Sequence, residues 1–144
     1  QLLRYGALSS RFELPDVIAA LSKALSLVRE ICDLRQPSEE QKPSLLTCLL
    51  TDGGTMVGVQ GGKELHYSTY KRRCGDRAAC PSLSPSCEAP TQDGFVNHLI
   101  FSSQPLSGEN VWHAMGEGDI VGVDARMRIY DSSVGRRSIL PLVG

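Results

Sequence analysis

Three cysteines in one irregular stretch are the residues whose type and spacing first suggest chemistry. Cys74, Cys80 and Cys87 are separated by five and six residues, whereas structural zinc sites use cysteine pairs about two to four residues apart. The chain has five cysteines, an odd number that cannot pair completely within one molecule. Two interpretations therefore stay open for these three: a disulfide or metal staple that orders the stretch, or unconnected thiols.

A catalytic cysteine needs a lowered pKa, because the thiolate is the nucleophile. Cys74 directly follows the basic run 71–73 and is the one cysteine with an obvious local reason for such a pKa. Cys32 and Cys48 fall on apolar faces of their segments, so we expect both to be small core residues.

The histidines do not form a metal-binding pattern, because His66, His98 and His113 lie far apart in the sequence. We expect His98 to lie on a strand, as a hydrogen-bonded core residue or a semi-exposed one. A Ser/His/Asp set could be composed from Ser102, His98 and Asp124, but no strained nucleophile turn presents the serine. The residues by themselves therefore assign no catalytic group, no substrate-binding group and no cofactor.

Length and composition fit one soluble domain or half of a larger one, since the chain has 144 residues and a net charge of −1. Its apolar runs are shorter than the ~20 residues of a membrane span, and a nearly neutral chain has no general attraction to nucleic acid. We expect a cytoplasmic protein, with an organelle as the alternative. The chain starts with Gln1, without Met or a signal-peptide pattern, so we expect that processing or truncation has removed a preceding part.

One amphipathic helix dominates the first third of the chain. The segment Pro15–Leu34 places apolar residues three and four positions apart, which gathers them on one face. Its proline suits a first helical turn. A polar, proline-bounded linker at 36–43 follows, and we expect it to be exposed.

Short apolar runs rich in turn residues follow the linker and predict a mainly antiparallel sheet, and hence an α+β fold. Asp52-Gly53-Gly54 suits the first hairpin turn. An irregular loop insertion is expected at 71–94 and a terminal extension at 131–144. The predicted strands are Leu45–Thr51, Thr55–Gln60, Glu64–Tyr67, Asn97–Ser103, Ile120–Asp124 and Arg126–Tyr130.

Two phrases of the sequence resemble one enzyme family. The first is Ser102-Ser103-Gln104-Pro105-Leu106, followed by Trp112 and by Gly116–Asp119 before a last apolar strand; the second is the strand–Thr-Asp-Gly–strand pattern over Leu45–Val59. They are similar to phrases of the class II glutamine amidotransferases, in the branch of the ergothioneine-pathway γ-glutamyl hydrolase and the yeast-type glutathione-degrading amidotransferase subunit. The resemblance spans roughly residues 17–129 and implies an Ntn-hydrolase αββα sandwich, or its C-terminal half.

The resemblance also implies that the chemistry lies outside this chain. Members of that family use an N-terminal cysteine whose own α-amine acts as base, and residue 1 here is glutamine. Family carboxylates are also replaced. Gln104 stands for a Glu, and Ser9 and Arg11 stand for the Asp and the Glu of a phrase that supplies an acidic partner for the substrate amine.

Three functions remain open at this point. The chain could be the C-terminal portion of a γ-glutamyl or glutamine amidohydrolase whose nucleophile is on a preceding segment or chain. It could instead be an inactive relative that serves as a structural subunit of a larger assembly. The third is an independent α+β module whose Cys74, Cys80 and Cys87 hold a metal. The first two require a partner, either the missing N-terminal half or another subunit.

Overall fold

The computed structural model describes residues 13–34 and 44–133, which form one α-helix, seven short strands and one turn of 3-10 helix. The helix is α1 (Leu14–Leu34) and the 3-10 turn is Pro85–Cys87. The strands are β1 (Cys48–Thr51), β2 (Met56–Val59), β3 (His66–Ser68), β4 (Ile100–Ser102), β5 (His113–Ala114), β6 (Ile120–Val123) and β7 (Ile129–Asp131). The described chain is therefore α+β, as the sequence predicts.

The strands form two sheets in which every neighbouring pair is antiparallel. The large sheet has the order β1-β2-β6-β7 and the small sheet the order β4-β3-β5. Helix α1 packs on one face of the large sheet, where Leu14 and Ile18 form a cluster with Val57, Val59 and Ile120. The N-terminal part of the apolar face predicted for the helix is therefore the part that is buried against the sheet.

The small sheet covers the opposite face of the large one. Tyr67 of β3 and Val121 of β6 are buried in a second cluster with Leu65 and Met115. Burial of apolar surface on both faces of the large sheet is the main favourable term that holds these layers together. The described residues are thus stacked as helix, large sheet and small sheet.

The first hairpin forms at the predicted turn. The Asp52 carboxylate accepts hydrogen bonds from the backbone N–H groups of Gly54 at 2.9 Å and Thr55 at 2.7 Å. Gly53 has a φ of +89°, a conformation that costs glycine little because it has no Cβ. β1 and β2 then pair in register from Thr51 opposite Met56 to Cys48 opposite Val59.

Several predicted boundaries were too wide, and one strand was not foreseen. Asn97 and His98 precede β4 instead of lying on it, and β5 occupies a stretch expected to be a connection. Asp131 belongs to β7 and not to the terminal extension. Cys32, expected in the core, is exposed, because the core clusters include residues of α1 only as far as Leu25. The linker 36–43 and residues 134–144 lie outside the described ranges.

Candidate functional site

Cys87 is the cysteine whose sulfur has the most hydrogen-bond partners among the described residues. The predicted loop 71–94 is irregular except for the 3-10 turn that ends at Cys87. The carbonyl oxygen of Cys87 accepts a hydrogen bond from the Lys71 N–H at 2.8 Å, which ties the turn back to the start of the loop. As a result Cys87 is buried, with 9% of its surface exposed.

Hydrogen-bond donors surround the sulfur. The Asn97 side-chain amide donates to Cys87 Sγ at 2.8 Å, and the Ser84 N–H donates to it at 3.5 Å. The Ser84 hydroxyl lies 3.9 Å from the same sulfur. Asn97 also donates to Ser84 Oγ at 2.7 Å, so the two donors hold one another in place.

These donors favour the thiolate form of Cys87. The Ser84 N–H and then the Asn97 amide lower the pKa of the thiol below its usual value of 9.0, against the opposing effects of burial and of Glu88. A thiolate is the reactive form of cysteine. The hydrogen-bond partners of this sulfur in the described chain are Ser82, Ser84 and Asn97, none of which is a general base.

A cavity of about 480 Å³ opens beside the turn. It is lined by Ser84, Pro85, Ser86, Ala89, Pro90, Thr91, Gln92 and Asp93. Hydrogen bonds from the Phe95 N–H and then the Thr91 hydroxyl lower the pKa of Asp93. The rim therefore carries a negative charge near neutral pH, and with its hydroxyls it suits a small polar or cationic group better than an anion.

His98 follows Asn97 in the chain but is not among the hydrogen-bond partners of the Cys87 sulfur in the described residues. Desolvation, and then the positive charge of Lys71, lower the pKa of His98, so its imidazole is neutral at physiological pH. Its Nε2 atom is buried without a hydrogen-bond partner among the described residues. His98 is half-buried, as the semi-exposed alternative expects, but it precedes β4 instead of lying on a strand.

The other two loop cysteines, Cys74 and Cys80, donate hydrogen bonds through their backbone N–H groups to different acceptors. The Cys74 N–H donates to the Glu88 carboxylate at 2.7 Å, and the same carboxylate binds Arg77 at 2.7 Å. The Cys80 N–H donates to the Asp76 carbonyl at 2.8 Å. All five cysteines lie in the described ranges and are free thiols. No group of three or more His, Cys, Asp or Glu side chains in those ranges is arranged to hold a metal ion.

The phrases that carry the family resemblance form turns. Ser102 Oγ donates to the Gln104 carbonyl at 2.6 Å, and Trp112 Nε1 donates to the Leu106 carbonyl at 3.0 Å, which closes the loop between β4 and β5. The Asp119 carboxylate accepts the Gly116 N–H at 2.7 Å immediately before β6. These residues shape connections between strands and are scaffold residues in this part of the chain.

The polar side-chain contacts that join the two sheets were not predicted from the sequence. The Tyr67 hydroxyl of β3 donates a hydrogen bond to the Asp131 carboxylate of β7, and the Tyr67 ring stacks on His113 at 5.2 Å between centroids. Asn97 and Ser84 were missed as well. Only the Ser84-Pro85 pair before Cys87, typical of a helix start, carried a local signal.

Comparison with protein-family models, with characterised proteins and with solved structures finds no match. Among the described residues, no helix is long and apolar enough to cross a membrane. Functional conclusions therefore depend on the residues and their geometry.

Proposed function

We propose that this chain is the C-terminal portion of a class II glutamine amidotransferase-like amidohydrolase that acts on a γ-glutamyl or glutamine amide. The observation that carries the proposal is the stacking of α1, the large sheet and the small sheet, with antiparallel strands throughout. An Ntn-hydrolase αββα sandwich contains these three layers in this order, with a further helical layer beyond the small sheet.

The resembling phrases support the proposal by their positions in the fold. The strand–turn–strand phrase forms the hairpin of β1 and β2, which pairs with β6 in the large sheet. The Ser-Ser-Gln-Pro-Leu phrase ends β4 of the small sheet. Their order along the chain and their division between two stacked sheets are what a shared architecture requires.

A nucleophile on a preceding segment or chain is part of the proposal. An N-terminal cysteine would attack the amide carbon, its α-amine would accept and return the proton, and an acyl-enzyme would then be hydrolysed by water. The described residues would act as scaffold. The flank of α1 that carries Leu27, Val28 and Ile31 is 40–53% exposed, which supports a further element packed beside the helix.

The second candidate is an inactive relative that serves as a structural subunit of a larger assembly. It is favoured by Gln104, an exposed neutral residue where the resembled family has a glutamate. A neutral amide does not carry the negative charge of the carboxylate that it replaces.

The discriminating experiment is to identify the coding sequence that precedes Gln1 and to express the joined protein. An N-terminal cysteine after Met removal, with release of glutamate from γ-glutamyl amides or of ammonia from glutamine, supports the amidohydrolase. Replacement of that N-terminal cysteine by Ala must abolish turnover. A preceding sequence without a cysteine, serine or threonine at that position would support the structural subunit.

A further inference from the structure

The two edges of the large sheet differ in how they are covered. At the β7 edge, the Ile129 N–H donates to the Gly94 carbonyl at 2.8 Å and the Val96 N–H donates to the Met127 carbonyl at 3.0 Å. The end of the 71–94 loop therefore occupies that edge. β1 is the other outermost strand, and β2 is its one partner among the described strands.

β1 presents leucine on both faces of the sheet. Leu50 pairs with Val57, which lies under α1, so Leu50 is on the helix face. Leu49 pairs with Gly58, whose Cα lies against the Phe101 ring of the small sheet, so Leu49 is on the other face. Both side chains are about half exposed, at 55% for Leu49 and 49% for Leu50.

The hydrogen bonds that flank β1 show which of its residues direct their backbone N–H and C=O groups towards β2. The Leu46 N–H donates to the Gly61 carbonyl and the Asp52 N–H to the Thr55 carbonyl, so even-numbered residues bond towards β2. Because the direction alternates along an antiparallel strand, the N–H and C=O groups of Thr47, Leu49 and Thr51 point away from β2, to the outer edge of the sheet that the described strands form.

We propose that two copies of the 144-residue chain pair antiparallel through β1. The alternation requires odd-numbered residues to face odd-numbered residues, and the register with most hydrogen bonds places Leu49 opposite Leu49 of the second copy. Cys48 then lies opposite Leu50 of the second copy. The two-fold axis is perpendicular to the sheet, and the two four-stranded sheets become one sheet of eight strands.

A second copy fits this edge because residues 47–51 carry no charge. A two-fold contact brings identical residues together, so any charge on the strand would repel itself, and charged residues are the usual protection of an exposed edge. Here the contact instead joins leucines on one face and pairs Cys48 with Leu50 on the other. The inference does not depend on the proposed catalytic function.

The mass of the full chain in solution tests the proposal. Size-exclusion chromatography with light scattering is expected to show a mass that rises with concentration from 15.6 kDa towards twice that value. Leu49→Lys places two charges at the axis and is expected to weaken the dimer about tenfold or more. Leu106→Lys is the matched control, because Leu106 is 61% exposed in the loop between β4 and β5. Circular dichroism checks that both variants fold.

Cross-linking tests the register independently. Opposed residues in a non-hydrogen-bonded pair have Cα atoms about 4.5 Å apart, within the range of a disulfide. Leu50→Cys is therefore expected to give an oxidised dimer through Cys48 of the second copy, and the added change Cys48→Ser is expected to abolish it. A wild-type monomer at all concentrations, a dimer unaffected by Leu49→Lys, or a cross-link that survives Cys48→Ser overturns the proposal.

Discussion

The hydrogen bond from the Asn97 amide to Cys87 Sγ is the most specific feature of the 71–94 loop. It stabilises the thiolate, so Asn97→Ala is expected to raise the pKa of Cys87 and to reduce the thiolate fraction at neutral pH. The measurement is the rate of alkylation of Cys87 as a function of pH, followed by peptide mass spectrometry that separates it from the other cysteines. Thr91→Ala is the control and should leave the profile unchanged, because Thr91 lines the cavity beside the 3-10 turn and does not hydrogen-bond the Cys87 sulfur. Unaltered alkylation in Asn97→Ala would contradict the assigned role.

Tyr67 joins the two sheets through the Asp131 carboxylate. Tyr67→Phe removes a hydrogen bond to a charged group and leaves a partly buried carboxylate oxygen with fewer donors, which costs about 1.5–3 kcal/mol of unfolding free energy. Urea denaturation measures the loss. Tyr130→Phe is the control, because Tyr130 directly precedes Asp131 in β7 and is 37% exposed. Equal destabilisation by both changes would show that the Asp131 contact is not the cause.

At the scale of elements, the close approach of the two sheets depends on a glycine. A Cβ on Gly58 of β2 would lie 2.5 Å from the Phe101 ring of β4, so Gly58→Ala forces the sheets apart and is expected to cost about 1–3 kcal/mol. Thermal or urea unfolding gives the value. Gly54→Ala should change stability by less than about 0.5 kcal/mol, because its nearest contacts are at 3.7 Å.

A double variant tests the cause of that cost. Combining Gly58→Ala with Phe101→Leu makes room for the added methyl group, so the two destabilisations should be clearly less than additive. Strict additivity would indicate that the glycine is required for its backbone and not for the contact between sheets.

At the scale of the whole molecule, the chain alone is expected to lack glutaminase and γ-glutamyl amidohydrolase activity. It starts with Gln1, and the hydrogen-bond partners of Cys87 in the described chain do not include a general base. The assay is release of ammonia or glutamate from glutamine and γ-glutamyl amides by the purified chain. Turnover that Cys74→Ala abolishes and Cys32→Ala does not would place a nucleophile in the loop and contradict this prediction.

Local patterns in the sequence were sufficient for α1 and for the hairpin of β1 and β2. The apolar residues of α1 recur at helical spacing. The turn at Asp52-Gly53-Gly54 depends on hydrogen bonds and backbone angles of residues that are at most three positions apart. The helix was predicted over Pro15–Leu34 and is observed over Leu14–Leu34. Strand ends were less well predicted, because pairing with a neighbouring strand decides where a strand stops.

The sequence by itself determined the α+β class, the position of the helix and the first hairpin turn, since each depends on residues that are neighbours in the chain. Only the tertiary structure decided that Asn97 contacts Cys87, that Tyr67 contacts Asp131 and that β1 is an outermost strand among the described residues. The sequence favoured Cys74 because its basic neighbours are adjacent. The donors that lower the pKa of Cys87 include one ten residues away, brought to the sulfur by the folding of an irregular loop.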